Sequence, residues 1–578
     1  MNLLERLDTP GGGEEIEPGR QTIRQGGGRG FPLLERLTYY IRRIFGFLPF
    51  HGLRLRGRAP LKLLFVPKDP VAGDKAAGEA ILAGRIVYGS QTIRIEGLDF
   101  TSDTLDSDAS DYLQSFTWLR DLAAAATREN GAHVAEYIVR RWLTQCSEQG
   151  NERAWRVDIW ARRIFFWTAY APYILSAHDS AYRALVLKAL VSGSRHIDRN
   201  ADRAPLGLAR ISAWTGAVIS ALAVQGGATH LGKSETGLIR ALYEASHDDG
   251  GLISRSLGEQ LVLVELLSQL RAVYYAGRRE APEEISEALA SATAALLAVT
   301  LGDGGLGSWQ GGNMLSRRRV VAAVDASALD IRPLRQPRGW GYHRLSAKST
   351  ILIIDAAPPP PSRAIKGGCA STLAFEMSDG PDRLIVNCGG VGENHVLAEE
   401  IVQALRTTAA HSTLILGDRN STAIYEDGTL GKGVTTVEVS RDETGGNSKL
   451  EANHDGYVRR FGLVHRRRIE LVGNGLELIG EDRLERRGRR RFGNSGFAIR
   501  FHLGPSVEVT STADGQGALL RIRGGAVWQF RCAGGVLSSE ESLWIDGSGY
   551  PRGAQQLVVT GEVGAEGSAV TWSLKRAG

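Results

Sequence analysis

The chain has 578 residues, 43% of them hydrophobic and 23% charged, with 11 Trp, which is too much apolar surface for a disordered protein and enough length for more than one core. Its four Cys, at positions 146, 369, 388 and 532, have neither Cys-x-x-Cys nor finger spacing, which excludes a zinc ribbon and a disulfide-dense scaffold. The 69 Lys and Arg against 64 Asp and Glu leave a net charge of +5, and no motif accompanies it that would make a nucleic-acid binder.

Residues 1–30, with Gly runs at 11–13 and 26–28, read as a flexible leader. No basic stretch followed by an apolar core opens the chain, so no secretion signal is expected. No apolar run reaches the roughly 18 residues of a membrane span, so none is expected either. Residues 31–110 are a basic, mixed segment expected to pack on the domain that follows. Within it, 34–58 (LERLTYYIRRIFGFLPFHGLRLRGR) mixes Arg with aromatic residues, so peripheral contact with an anionic membrane surface stands as a second reading.

From 111 to 305 the pattern is helical. Tyr182, Leu185, Val186, Ala189 and Leu190 follow the spacing of one buried stripe. Pro282 followed by Glu283 and Glu284 starts a helix with acids at the positive end of its dipole. The spacing predicts helices over 118–130, 133–147, 155–176, 180–200, 208–225, 234–246, 257–277 and 282–299, an array of helical hairpins that an α/α toroid would close. After Gly302-Asp303-Gly304-Gly305 the period changes to 2, with short strands at Thr350 to Asp355, Leu384 to Asn387 and Thr413 to Leu416. Ala526, Trp528, Phe530 and Cys532 alternate with Val527, Gln529 and Arg531, as a half-buried strand does. Residues 312–578 are therefore expected to form a large antiparallel β-sandwich, and the chain to be an α + β multidomain protein. Two Arg runs stand out, His465-Arg466-Arg467-Arg468 and Glu485 to Arg491. They would attract an anion, or equally keep strand edges from pairing with other chains.

Several stretches are specific enough to carry a resemblance: Asp325 to Asp355, Cys369 to Gly389 (CASTLAFEMSDGPDRLIVNCG), Thr407 to Leu416 (TTAAHSTLIL), His454 to Arg468 (HDGYVRRFGLVHRRR) and Gly480 to Leu484 (GEDRL). Together they resemble the C-terminal domain of bacterial heparinase II/III-like proteins. The helical half agrees through Trp118-Leu119-Arg120, Ala154-Trp155-Arg156 with Asp158 and Arg162, and the Asp249-Gly250-Gly251 to Ser256 segment. The resemblance covers about 60–578 and is closest to members of unassigned substrate. It implies a polysaccharide lyase-like protein, cleaving an acidic, uronic-acid glycan by β-elimination, in the cell envelope or periplasm. The lack of a signal leaves the cytoplasm as the alternative.

β-Elimination needs a base for the proton α to the carboxylate, an acid for the leaving oxygen, and donors that neutralise the carboxylate. In the family, an Asn or His and a Tyr on the toroid combine with a His on the sandwich. Here the matching toroid stretch reads Arg203-Ala204-Pro205-Leu206-Gly207-Leu208-Ala209-Arg210, and the segment that would hold the Tyr reads Ser256-Leu257-Gly258-Glu259-Gln260. The sandwich motif, His-x-His-x-Asp in the family, falls on Gly367 to Ser371 without a His. The alternative to an enzyme is therefore a non-catalytic carbohydrate-binding or envelope scaffold protein that kept the fold.

The catalytic candidates that remain are His454, Tyr457 and His465, a phenol and two imidazoles brought together if their strands pair. Arg120, Arg156, Asp158 and Arg162 have the character of a groove floor that would hold sugar carboxylates or sulfates, with Arg466 added from the first Arg run. The same residues could instead be ion pairs between hairpins. The family's zinc positions read Cys369, Asn387 and His465, so zinc is a candidate cofactor through Cys369 and His465, with Asn a weak third ligand. His411 and His502 read as satisfied core residues.

Overall fold

The computed structural model describes residues 3–8, 16, 19–25 and 63–577, the last range without 90, 103–104, 106, 148–151, 177, 313–314, 362–363, 366, 391–396, 488–494 and 565. The 34–58 stretch and Arg489 to Arg491 lie outside the described residues.

Asp179 accepts the backbone N–H groups of Ala181 and Tyr182, and from this cap a helix runs Ser180–Asn200 with Tyr182, Val186 and Leu190 buried. Leu185, expected in the same stripe, is 52% exposed. It sits about 100° round the helix from Val186, outside the arc that Tyr182 and Leu190 bracket. Further helices run Ser107–Gln114, Trp118–Ala125, Arg128–Cys146, Val157–Ala169, Leu208–Ala223, Leu231–Ala245, Leu257–Ala276 and Glu283–Ala298. Leu208–Ala223 is buried on every side from Ile211 onward and packs between Val157–Ala169 and Leu231–Ala245. An apolar surface all round marks a helix at the centre of the array.

One helix departs from the expected switch to strands. Arg317–Ser327 follows the glycine turn and packs its Val320, Ala323, Val324 and Ser327 face on Leu257–Ala276. Three Arg in its first turn oppose the dipole and hide the helical spacing that follows them.

Beyond it the chain folds into two antiparallel sheets around a second core. The nine-stranded sheet has the order Arg20–Arg24, Thr436–Thr444, Asn447–His454, Leu463–Leu471, Glu477–Arg486, Ser568–Arg576, Val527–Ala533, Gly517–Ile522 and Val507–Ser511. The eight-stranded sheet runs Val536–Ile545, Pro551–Glu562, Gly496–Leu503, Asp382–Val386, Phe375–Asp379, Thr350–Asp355 and Tyr342–Ala347, with Leu414–Leu416 beside Gly496–Leu503. Every pairing of named strands is antiparallel, and the inward positions of both sheets interdigitate, among them Phe375, Phe501, Trp528 and Trp572.

The leader expectation needs correcting at two places. Arg20–Arg24 is the edge strand of the nine-stranded sheet, in register with Thr436 to Ser440. Leu3–Asp8 is a short helix that buries Leu3 and Leu7, and its Arg6 donates to Leu329 O at 2.6 Å. Ile23, alternating with Thr22 and Arg24, gives the strand one apolar side chain for the core, a signal that the glycines around it mask.

Two polar clamps join the helical half to the sandwich. Asp249 Oδ2 accepts the backbone N–H groups of Arg338, Gly339 and Trp340 at 2.9–3.0 Å. Arg255, fully buried, donates to Asp355 Oδ1 (2.7 Å), Trp340 O and Pro358 O. Among the buried side chains that lack such satisfaction, His343 is unmet at both of its polar atoms. Both ring nitrogens of His343 lack a hydrogen-bond partner among the described residues, and burial pushes the imidazole down to about 3, so it is neutral. Replacing His343 by Leu, which removes the unmet polar atoms at similar volume, should raise the unfolding free energy by about 1 kcal/mol in urea titrations. A loss of stability would contradict this reading.

Candidate functional site

The strands bring the three catalytic candidates together. His454 ends Asn447–His454 directly opposite His465 on Leu463–Leu471, and Tyr457 follows in the connection between them. Inward phase does the rest: Leu463, His465, Arg467, Ile469 and Leu471 all point to the core, as do Leu478, Gly480, Asp482 and Leu484 on the next strand.

The result is a directed chain of hydrogen bonds. Gly456 N–H donates to His454 Nδ1 (3.1 Å), which puts the proton of His454 on Nε2; this donates to His465 Nδ1 (3.2 Å). His465 Nε2–H then donates to Asp482 Oδ1 (2.7 Å). Asp482 also receives Arg467 Nε (2.8 Å), Arg467 Nη2 (3.1 Å) and Trp572 Nε1 (2.9 Å). Gly480 makes room for that indole, since a Cβ there would lie 2.1 Å from the Trp572 ring. Burial works to raise the Asp482 carboxyl, but Arg467 and His465 overcome it and hold it well below the usual carboxylate range. Burial pushes both imidazoles down, so the chain is two neutral rings leading to one carboxylate.

This constellation is closed. His454, Tyr457, His465, Arg467 and Asp482 are at most 1% exposed, and the Tyr457 hydroxyl donates to Leu414 O at 2.9 Å. Burial pushes the phenol above 10. Arg467 Nη1 completes the set by donating to Leu373 O (2.7 Å) and Ser412 O (2.8 Å), and Leu373, two residues past the sandwich motif, is left-handed (φ 65°).

The sandwich motif itself lies at the contact with the helical half. Asp355 Oδ2 accepts Ser371 Oγ (2.7 Å), Ser371 Oγ accepts Gln310 Nε2 (3.0 Å), and Gln310 Oε1 accepts Cys369 N–H (2.9 Å). Where the family's Tyr segment would fall, Gln260 donates to Gly250 O and Ala292 O, and Ser254 Oγ donates to Glu259. These groups brace the loops against one another.

The zinc expectation does not fit. Burial pushes the Cys369 thiol up to about 11, and its Sγ donates to Gly367 O at 3.7 Å. Both ring nitrogens of His465 are already engaged by His454 and Asp482, so no lone pair is left for a metal. Asn387 is spent on Glu376, Ser308 and Ser412. Among the described residues no group of three or more His, Cys, Asp or Glu is arranged to hold a metal ion.

Of the candidate anion-binding side chains, Arg156, Asp158 and Arg162 gather about Asp111, whereas Arg120 and Arg466 make ion pairs elsewhere. Arg120 is buried with Asp69 (2.8 Å) and Glu265 (3.8 Å), and its guanidinium lies over Phe166. Arg466 bridges Glu451 (2.7 Å) and Glu485 (3.0 Å) on the outer face of the sheet. Arg156, 43% exposed, binds Asp111 (2.8 Å) and Asp158 (2.5 Å). Arg162 donates to Thr117 Oγ1 at 3.5 Å and lies near enough to Asp111 to favour its ionised form. Burial nevertheless pushes the Asp111 carboxyl up to about 6, a group that no sequence motif marked. His411 and His502 are buried, with ring nitrogens bonded to Thr407 O and Ala409 O respectively.

Comparison with known proteins bears on the fold. The heparinase II/III-like C-terminal family matches residues 331–573. The chain is 28% identical over 565 residues to FtsZ-localized protein C of Caulobacter vibrioides, covering 93% of this chain and 94% of that one. In three dimensions it is similar to heparinase III (TM-score 0.67, 13% identity, 96% of this chain and 93% of that one). It is also similar to a heparan sulfate lyase from Pedobacter heparinus (TM-score 0.58, 14% identity, 93% and 90%). A helical half followed by stacked antiparallel sheets is thus the heparinase III fold, and residues 331–573 match the heparinase II/III-like C-terminal family.

Proposed function

We propose that the chain is a non-catalytic protein on the lyase fold, working by binding in the company of FtsZ rather than by β-elimination on an acidic glycan. The observation that carries this is the closure of His454, His465 and Tyr457. A base must come within about 3 Å of the proton it removes, and here each candidate nitrogen or hydroxyl is turned to a protein partner inside the sandwich core. The likeness to FtsZ-localized protein C along almost the whole of both chains supports the choice of company. Fold alone carries no activity, so the similarity to lyases is compatible with a scaffold.

Two measurements test it. Incubation with a panel of uronic-acid polysaccharides should give no rise in the ultraviolet absorbance of unsaturated product, and turnover on any of them would overturn the non-catalytic reading. Purified FtsZ should retain the full chain in a pull-down, and a fluorescent fusion should coincide with FtsZ in cells. Failure of both would remove FtsZ as the partner.

A further inference from the structure

The Arg20–Arg24 strand ends the nine-stranded sheet, and little holds it there. Its register sets Gln21 against Val439 and Ile23 against Val437, and these two positions turn inward. Ile23 is buried in the sandwich core. Gln21 has the same phase, but its Oε1 is buried with no hydrogen-bond partner among the described residues. A buried acceptor without a donor works against the strand that carries it. Val437 and Val439 are both fully buried, so the neighbouring strand offers two apolar positions and its present occupant fills one of them with an apolar side chain. On the outward side Arg20 Nη1 reaches Glu438 at 3.5 Å with both side chains exposed, a kind of ion pair that adds little. Just past the strand, Gln25 Nε2 donates to Pro359 O at 3.4 Å.

The edge beneath this strand has a chemistry of its own. The outward positions of Thr436–Thr444 are Thr436, Glu438, Ser440, Asp442 and Thr444, two carboxylates and no base. The strand lying on them places Arg20 and Arg24 outward on either side of Glu438. The chain's own segment therefore shows what the edge selects: extended backbone, inward apolar residues at alternate positions, and basic residues outward between them. Strand addition of this kind takes affinity from main-chain hydrogen bonds and selectivity from alternate side chains. Gln25 N–H donates to Thr435 O at 2.8 Å, which sets the phase of the ladder. Residues 21, 23 and 25 exchange backbone bonds with the edge, while Arg24 faces Thr436 in a non-bonded pair, where Cα atoms lie about 4.5 Å apart.

We infer that the Arg20–Arg24 strand is a built-in competitor on a docking edge: Thr436 to Ser440 takes an extended, basic segment of a partner protein, with apolar residues where this chain has Gln21 and Ile23, once the strand has left. The inference goes beyond the FtsZ reading and stands without it. Because the strand is tethered, it competes at an effective concentration on the order of mM, so the partner segment binds weakly until the strand is loosened. The test uses the full chain and two short fluorescein-labelled peptides, Gly-Arg-Val-Thr-Ile-Arg-Gly and the same peptide with Glu for both Arg. Anisotropy should rise with the basic peptide and not with the acidic one. Ile23→Ser, which removes the strand's one apolar anchor, should tighten binding about tenfold by weakening the competitor, with circular dichroism reporting that the rest of the chain stays folded. Gln21→Val, which improves the competitor, should weaken binding. Arg24→Cys with Thr436→Cys puts two thiols within disulfide range, and the native Cys are buried. Oxidation of that variant should abolish binding and reduction restore it. Undiminished binding by the oxidised variant would mean that the peptide adds outside Arg20–Arg24, and would overturn the competition. Failure of the basic peptide to bind both the parent and Ile23→Ser, or equal binding of the two peptides, would overturn the docking edge. Dimerisation of Ile23→Ser in light scattering would overturn the choice of a partner protein in favour of a second copy of this chain.

Discussion

Replacing Arg467 by Met should destabilise the chain by roughly 3–5 kcal/mol, the cost of stranding one member of a buried ion pair. The guanidinium is fully buried between two sheets and makes bonds to Asp482, Leu373 O and Ser412 O. Met fills much of the volume but leaves Asp482 with only the His465 and Trp572 N–H donors and leaves two carbonyl groups unmet. Adding Asp482→Asn to that variant removes the stranded charge, so the double variant should cost less than the sum of the two singles. Urea unfolding followed by Trp fluorescence measures all three, and a single-variant cost under about 1 kcal/mol would contradict the assigned network.

The second large effect is loss of stability in mild acid. His343, His411, His454, His465 and His502 are all held below their ordinary range by burial. In the unfolded chain each takes a proton near pH 6.5, whereas the folded chain keeps them neutral to lower pH. Between those limits the unfolded state binds more protons, so stability falls as pH falls, by about 1.4 kcal/mol per pH unit for each His and about 7 for the five together. A domain stability of about 5–15 kcal/mol is then used up within one to two units, and the acid midpoint should lie near pH 5. Asp482, whose folded carboxyl is depressed, adds its own loss only below the ordinary carboxylate range near pH 4. Circular dichroism against pH reads the midpoint, and a chain still folded at pH 3.5 would contradict the neutral buried histidines.

Much of this was legible in the sequence where one period dominates. Val527–Ala533 buries Trp528, Phe530 and Cys532 as alternation requires, and the Ser180–Asn200 helix buries Tyr182, Val186 and Leu190. The Arg20–Arg24 strand was not legible, because glycine and arginine around a single Ile give too short a pattern to separate from a loop. In the site, the closeness of His454, Tyr457 and His465 could be read from chain spacing, but their closure could not, because it depends on which face of each strand turns inward. Asp482 was the signal passed over. It shares its phase with Leu478 and Leu484, and a carboxylate on the apolar side of a strand demands a buried cation, which Arg467 supplies from the same phase of the neighbouring strand.

The register of Arg20–Arg24 against Thr436 to Ser440 carries a consequence for biosynthesis. The ribosome makes Arg20 418 residues before its neighbour Glu438. At roughly 5–20 residues per second that is a wait of about 20–80 s, during which the helical half is made and the first strands of the sandwich emerge. When the Thr436–Thr444 strand leaves the tunnel, its outer edge therefore meets a segment already synthesised, while its inner neighbour, Asn447–His454, is still to come. The first strand among the described residues thus closes a sheet whose remaining strands are made more than 400 residues later, and the nascent sheet has its own chain at hand before it can pair with another.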